Sequence, residues 1–203
     1  MNQRKKHDVR FLTQLALLVA VEMVMKAIGL GSVPVGPLYM SFLTVPIAVG
    51  AIILGPMAGM ILGGVFGFVS FLDAIKGASV MTSSLLAVSP VHTFLLCFGT
   101  RVLMGACVGL IYQGMAKVCR NSAVNCFVTS LSAPLLNTLF FMGYIVLAFY
   151  QTDYIQGLVS AKGAANPLMF VVLLVGVQGI VEAVVCSVAG TAAAGGVKKA
   201  LRR

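Results

Sequence analysis

Long apolar stretches, each close to the roughly 20 residues that a helix needs to cross a hydrocarbon core of about 30 Å, dominate this 203-residue chain and dictate what it can fold into. They leave little to face water. Hydrophobic residues make up 60% of the sequence and charged residues 9%, whereas soluble globular domains carry about 25% charged residues. Such a chain would aggregate in water, so composition predicts an integral membrane protein, and its length predicts a single membrane domain over 1–203. The formal net charge of +9 does not point to nucleic acid, because the polar surface on which a nucleic-acid module displays its charges is missing.

The coarse reading gives six helices, near 11–30, 40–54, 57–75, 88–116, 123–150 and 166–197. Residues 40–75 form one apolar stretch broken at Gly55-Pro56, where proline removes a donor and disfavours helix at the preceding residue; a tight cytoplasmic hairpin is expected there. Pro46 predicts a kink or a late start in the second helix. Six crossings put both termini on one side. With that side cytoplasmic, Arg4, Lys5, Lys6, Arg10, Lys117, Arg120, Lys198, Lys199, Arg202 and Arg203 all lie inside, and the outer connections hold only Lys76 and Lys162, as the positive-inside rule requires. Glu22 and Lys26 in the first apolar run, with no small-x-small pattern after it, argue against a cleaved signal peptide. The expected fold is therefore all-α, a six-helix membrane bundle with cytoplasmic termini.

Connections on the outer side differ in kind from those inside. Residues 29–39 (GLGSVPVGPLY), 76–90 (KGASVMTSSLLAVSP) and 151–167 (QTDYIQGLVSAKGAANP) are long and rich in Gly, Ser and Pro, and long loops gathered on one face tend to carry function. Gly59, Gly63 and Gly67 form two overlapping GxxxG steps, read as helix packing. Ala16 and Ala20 form a weaker small-x-x-x-small pair, either ordinary packing or a smooth groove for a helix of another protein.

Ionisable groups within spans are costly, so each is a candidate functional residue. Glu22 and Lys26 lie one turn apart in the outer half of the first helix, where pairing with each other and contact with a substrate stay equally open. Asp73 and Lys76 are read as solvated at the interface. Arg101 lies roughly 13 residues, about 20 Å, into the fourth helix, and Glu182 is at a similar depth in the sixth. A bridge between the two is one reading; the other places Arg101 at the floor of a pocket, forked onto a ligand carboxylate or phosphate. His92, Asn137, Thr138, Tyr144 and Gln178 complete a polar set that suggests a cavity open outward.

Cys97, Cys107, Cys119, Cys126 and Cys186 show no CxxC pair and read as small buried hydrophobes, so no metal or other cofactor is expected. The sequence has no GxxxxGK[ST], HExxH or GxSxG, and only His7 and His92 as histidines. An enzyme is not expected.

Taken together, these motifs resemble the substrate-binding S components of energy-coupling factor (ECF) vitamin transporters. FLTVPIAVGAIILGPMAGMILGGVFGFVSFL, residues 42–72, resembles that family's second and third helices. Ala16 and Ala20 match its first-helix AxxxA motif, Leu136-Asn137-Thr138 is similar to the fifth-helix asparagine-threonine of the pantothenate, folate and riboflavin branch, and GIVEAVVCSVAG with Glu182 is similar to the sixth helix. The resemblance implies a bacterial cytoplasmic-membrane protein that binds one vitamin in its outer cavity. Its implied partners are membrane lipid, a transmembrane coupling subunit docked at Ala16 and Ala20, and two cytoplasmic ATPases; no nucleic acid is involved. A carboxylate-bearing vitamin is expected, pantothenate first, with Arg101, Asn137, Thr138, Lys26, Glu22, His92, Gln178 and Tyr144 as candidate contacts. Two other readings remain: a secondary transporter or small channel that works without an ATPase, and a membrane scaffold that transports nothing.

Overall fold

Helix boundaries follow local chemistry in the computed structural model, which describes residues 3–31, 33–35 and 38–201. Arg202 and Arg203 of the basic C-terminus, and Ser32, Gly36 and Pro37 of the first outer connection, lie outside the described residues, as do the side chains of Arg4, Lys5 and Lys6. Helix α1 (Gln3–Ala27) ends where Gly31 N–H turns back onto the Met25 carbonyl at 3.1 Å. Strands β1 (Val33–Val35) and β2 (Leu38–Met40) then pair antiparallel, Pro34 opposite Tyr39. Helix α2 (Thr44–Leu54) meets α3 (Pro56–Ile75) at Gly55, whose φ of 93° suits a residue without Cβ, and Pro56 opens α3 where no N–H is needed.

Beyond the short α4 (Val80–Val88) runs α5 (Pro90–Val118), interrupted by one π-helical turn at Leu95–Gly99. Helix α6 (Ser122–Ala148) starts at Asn121, whose Oδ1 accepts the Ala123 N–H at 3.0 Å, the standard side-chain cap. The ten-residue α7 (Asp153–Lys162) closes on Gly163, and α8 (Pro167–Leu201) begins with Asn166 Oδ1 accepting the Met169 N–H at 2.8 Å.

All-α architecture is what the sequence predicts, with two corrections of detail. The three long connections are not irregular loops: the first holds the hairpin, and the second and third hold α4 and α7. Their apolar residues, among them Met81, Leu85, Ile155 and Val159, pack with Met142, Ile145 and Phe170 into one cluster, so burial orders segments whose Gly and Ser content reads as loop. The second helix starts at Thr44 rather than 40, because β2 and its exit use the residues before it. Pro46 thereby falls in the first turn, where a missing N–H costs nothing. Among the described residues four helices are long and apolar enough to cross a membrane, α3, α5, α6 and α8. Helix α2 is apolar but has 11 residues, about 16 Å of rod.

Helices α3 and α5 make the most extensive contact in the bundle, and they run antiparallel with their backbones touching. A Cβ on Gly59 would lie 2.3 Å from the Gly105 carbonyl oxygen, one on Gly63 2.2 Å from that of Arg101, and one on Gly67 2.7 Å from that of Cys97. The residues met on α5 are also four apart, so two one-face rows of i, i+4 positions mesh. At the tight-turn end of the bundle, Lys198 of α8 donates to the Tyr112 hydroxyl of α5 and lies 4.5 Å over that ring, with Ser122 Oγ of α6 at 3.4 Å.

Gly63→Ala pushes a methyl group against a carbonyl that cannot move without its helix. It should destabilise the bundle by about 1–3 kcal/mol, the usual range for overpacking, read as a lowered thermal midpoint in detergent. An unchanged midpoint would show that the two helices separate freely at this point.

Candidate functional site

At the loop-rich end of the bundle lies a cavity of about 110 Å³ in which charged and polar side chains are set among apolar ones, room for roughly eight water positions at 10–15 Å³ each. Its base is Arg101, in the turn of α5 that follows the π-helical segment. The π turn shifts the α-helical pairing of its own carbonyls, and Arg101 Nη1 donates to two of them, Leu96 O at 3.3 Å and Cys97 O at 3.1 Å. The rings of Phe66 and Phe141 stand 4.5 and 4.8 Å from the guanidinium carbon, so the cation sits between two π faces. Arg101 is only 7% exposed, and its Nε has no hydrogen-bond partner among the described residues.

The walls come from α6 and α8. Asn137 and Thr138 face the cavity from α6, and the Asn137 Oδ1 is buried without a hydrogen-bond partner among the described residues. Gln178 and Glu182 line it from successive turns of α8. Glu182 is 4% exposed, and its Oε1 accepts the Ser41 N–H at 3.1 Å, which anchors the chain just after β2 to α8.

Lys26 at the end of α1 donates to Asp73 near the end of α3 in an ion pair at the cavity wall. Above it the Tyr39 hydroxyl of β2 donates to the Ala78 carbonyl and joins the first two long connections. On the far side, α6 and α8 enclose a larger apolar groove of about 810 Å³ that opens away from the bundle interior. Thr138 and Met142 are shared by both hollows, so the partition between them is one residue layer thick.

Of the residues singled out in the sequence, Arg101, Asn137, Thr138, Lys26 and Gln178 are brought together in the cavity lining. Glu22, His92 and Tyr144 are not in it. His92 Nδ1 and the Tyr144 hydroxyl contact each other at 2.9 Å nearer the loop-rich end of the helices. Glu22 is 2% exposed, and neither carboxylate oxygen has a hydrogen-bond partner among the described residues.

Three readings of charge need correction. The ion pair of Lys26 is with Asp73, across 47 residues of sequence, rather than with Glu22 one turn away, because the ends of α1 and α3 converge at the cavity. Asp73 is accordingly paired rather than simply solvated. Arg101 and Glu182 form no ion pair; each is held by backbone groups on its own side of the cavity. Sequence reasoning missed Ser41, Ser70 and Tyr39 as lining residues. Only the polar character of the first connection hinted at any of them.

Ala16 and Ala20 lie on the exposed side of α1, flanked by exposed Leu12, Leu17 and Val24, while Leu15 and Glu22 on the opposite side turn inward. Residues 10–190 match the model of a protein family described as the ECF transporter, substrate-specific component. No curated protein matches the sequence.

The Lys26–Asp73 pair is only about one-fifth exposed on either side, so water screens it weakly. Asp73→Asn should cost about 1–3 kcal/mol of stability, between an exposed pair and a fully buried one, measured by thermal unfolding in detergent. An unchanged midpoint would show that the pair does not hold α1 against α3.

Proposed function

The chain belongs to the substrate-specific components of ECF transporters, and from that premise we propose that it captures pantothenate, or a closely similar carboxylate-bearing vitamin, in the cavity above Arg101. Membership makes it a multi-pass membrane subunit that binds a small molecule and works with an ECF module of membrane and ATPase subunits, rather than an enzyme. The observation that carries the choice of substrate is Arg101. A buried guanidinium braced by two carbonyls and two aromatic rings, with no ion-pair partner among the described residues, presents its remaining donors to an anion, and a carboxylate matches its fork. Folate brings two carboxylates to one arginine; riboflavin brings none. A small monocarboxylate suits the charge.

In the arrangement we propose, α1, α2, α3, α5, α6 and α8 serve as the six membrane segments. The tight-turn end, with Lys117, Arg120, Lys198 and Lys199, faces the cytoplasm, and the cavity faces outward across a bacterial cytoplasmic membrane. The exposed Ala16 and Ala20 offer a small-residue surface where a helix of the coupling subunit can approach α1 closely. Energy for release then comes from the two ATPases, and this chain supplies recognition only.

Isothermal titration of the purified protein with pantothenate tests the choice. Arg101→Met should weaken binding by about 1.5–3 kcal/mol, the value of a hydrogen bond to a charged group; unaltered affinity would remove Arg101 from the site. Ala16→Leu with Ala20→Leu should abolish co-purification with the coupling subunit and uptake into cells, with pantothenate affinity unchanged. Loss of affinity in that variant would mean that α1 packs inward through these residues.

A further inference from the structure

Glu182 is the charged cavity group to which vitamin capture by Arg101 assigns no task. It lines the cavity that Arg101 floors, yet the two form no ion pair, and the remaining charged pair of the lining, Lys26 and Asp73, is satisfied internally. One Glu182 oxygen receives a single neutral donor, the Ser41 N–H at 3.1 Å. A carboxylate is acceptor-only, with about four lone-pair sites, so one N–H leaves most of its capacity unmet. Withdrawn from bulk water to 4% exposure, it gains from any donor that enters the cavity. Asn137 adds a second unmet acceptor, since its Oδ1 is buried, lines the same cavity and has no partner among the described residues. The cavity is thus polarised, with donors at its α5 base and unmet acceptors on its α6 and α8 walls.

We infer that Glu182, together with the Asn137 side-chain oxygen, accepts hydrogen bonds from hydroxyl or N–H groups on the part of the ligand remote from its carboxylate, and that Glu182 thereby determines which carboxylates the cavity accepts. A simple monocarboxylate without such donors satisfies Arg101 but leaves the Glu182 charge facing an apolar surface. A molecule with an acid at one end and hydroxyl groups at the other satisfies both walls. The assignment rests on pantothenate capture as proposed above, because the hydroxyl groups of that molecule lie at the end opposite its carboxylate.

The probes are pantothenate and N-(3,3-dimethylbutanoyl)-β-alanine, which keeps the carbon skeleton, amide and carboxylate but lacks both hydroxyl groups. Each is titrated by calorimetry into the wild type and into Glu182→Gln, whose amide oxygen still accepts the Ser41 N–H. The wild type should prefer pantothenate by about tenfold or more, as for a hydrogen bond to a charged acceptor. Glu182→Gln should lose most of that preference and bind the hydroxyl-free probe about as tightly as the wild type does. If Glu182→Gln does not fold, shown by gel filtration and thermal melting, Asn137→Leu reads the same preference and should also reduce it.

Equal affinity of the wild type for the two probes overturns the assignment and leaves pantothenate capture standing. So does a parallel loss of both affinities in Glu182→Gln, which would mark the residue as an anchor for β2 alone. If the wild type does not bind pantothenate at all, capture itself fails and the assignment falls with it.

Discussion

Backbone contact between α3 and α5 is the constraint on which the site depends. In lipid no hydrophobic effect draws two apolar helices together, so van der Waals contact and backbone proximity have to do it. Glycines at 59, 63 and 67 allow that approach, and one of the carbonyls they meet belongs to Arg101. The cation at the base of the cavity is therefore fixed from behind by a rigid neighbouring helix rather than by a flexible side chain. Phe66, on the same helix as the glycines, contributes one of the rings that flank the guanidinium. A single helix pair thus creates the tightest packing in the bundle and also orients its central charge.

Charge in the cavity follows a simple division. The charges with partial access to water, Lys26 and Asp73, pair with each other, whereas the two deeper charges are held by backbone groups and not by each other. Collapse of Arg101 onto Glu182 would neutralise both and leave a ligand little to gain. Kept apart, they stay available to an entering molecule, at the desolvation cost that buried charges carry.

Much of this was legible in the sequence, to a depth set by the range of the interactions involved. Apolar length placed the long helices, and glycine and proline at 55 and 56 placed the sharpest turn, because these are local effects. The glycine spacing disclosed a packing face, and the isolated Arg101, Asn137 and Gln178 disclosed a polar interior, because lipid tolerates such residues only when they are enclosed. Partnerships were another matter. Lys26 is one turn from Glu22 in sequence yet meets Asp73, and Glu182 meets a backbone N–H at Ser41; pairings across 47 and 141 residues depend on how helix ends converge. The small helices α4 and α7 were hidden for a related reason, since their stability comes from the apolar cluster they cover and not from their own composition.

The π turn at Leu95–Gly99 also sets the azimuth of everything after it on α5. One extra residue in a turn offsets the following side chains by about 100° relative to an uninterrupted α-helix. Removing a residue from that turn would swing Arg101 off the cavity axis and drag positions 101 and 105 out of mesh with the glycines of α3. The spacing between Pro90 and Arg101 is consequently a clocking dimension of the bundle, one that tolerates changes of side chain far better than changes of length.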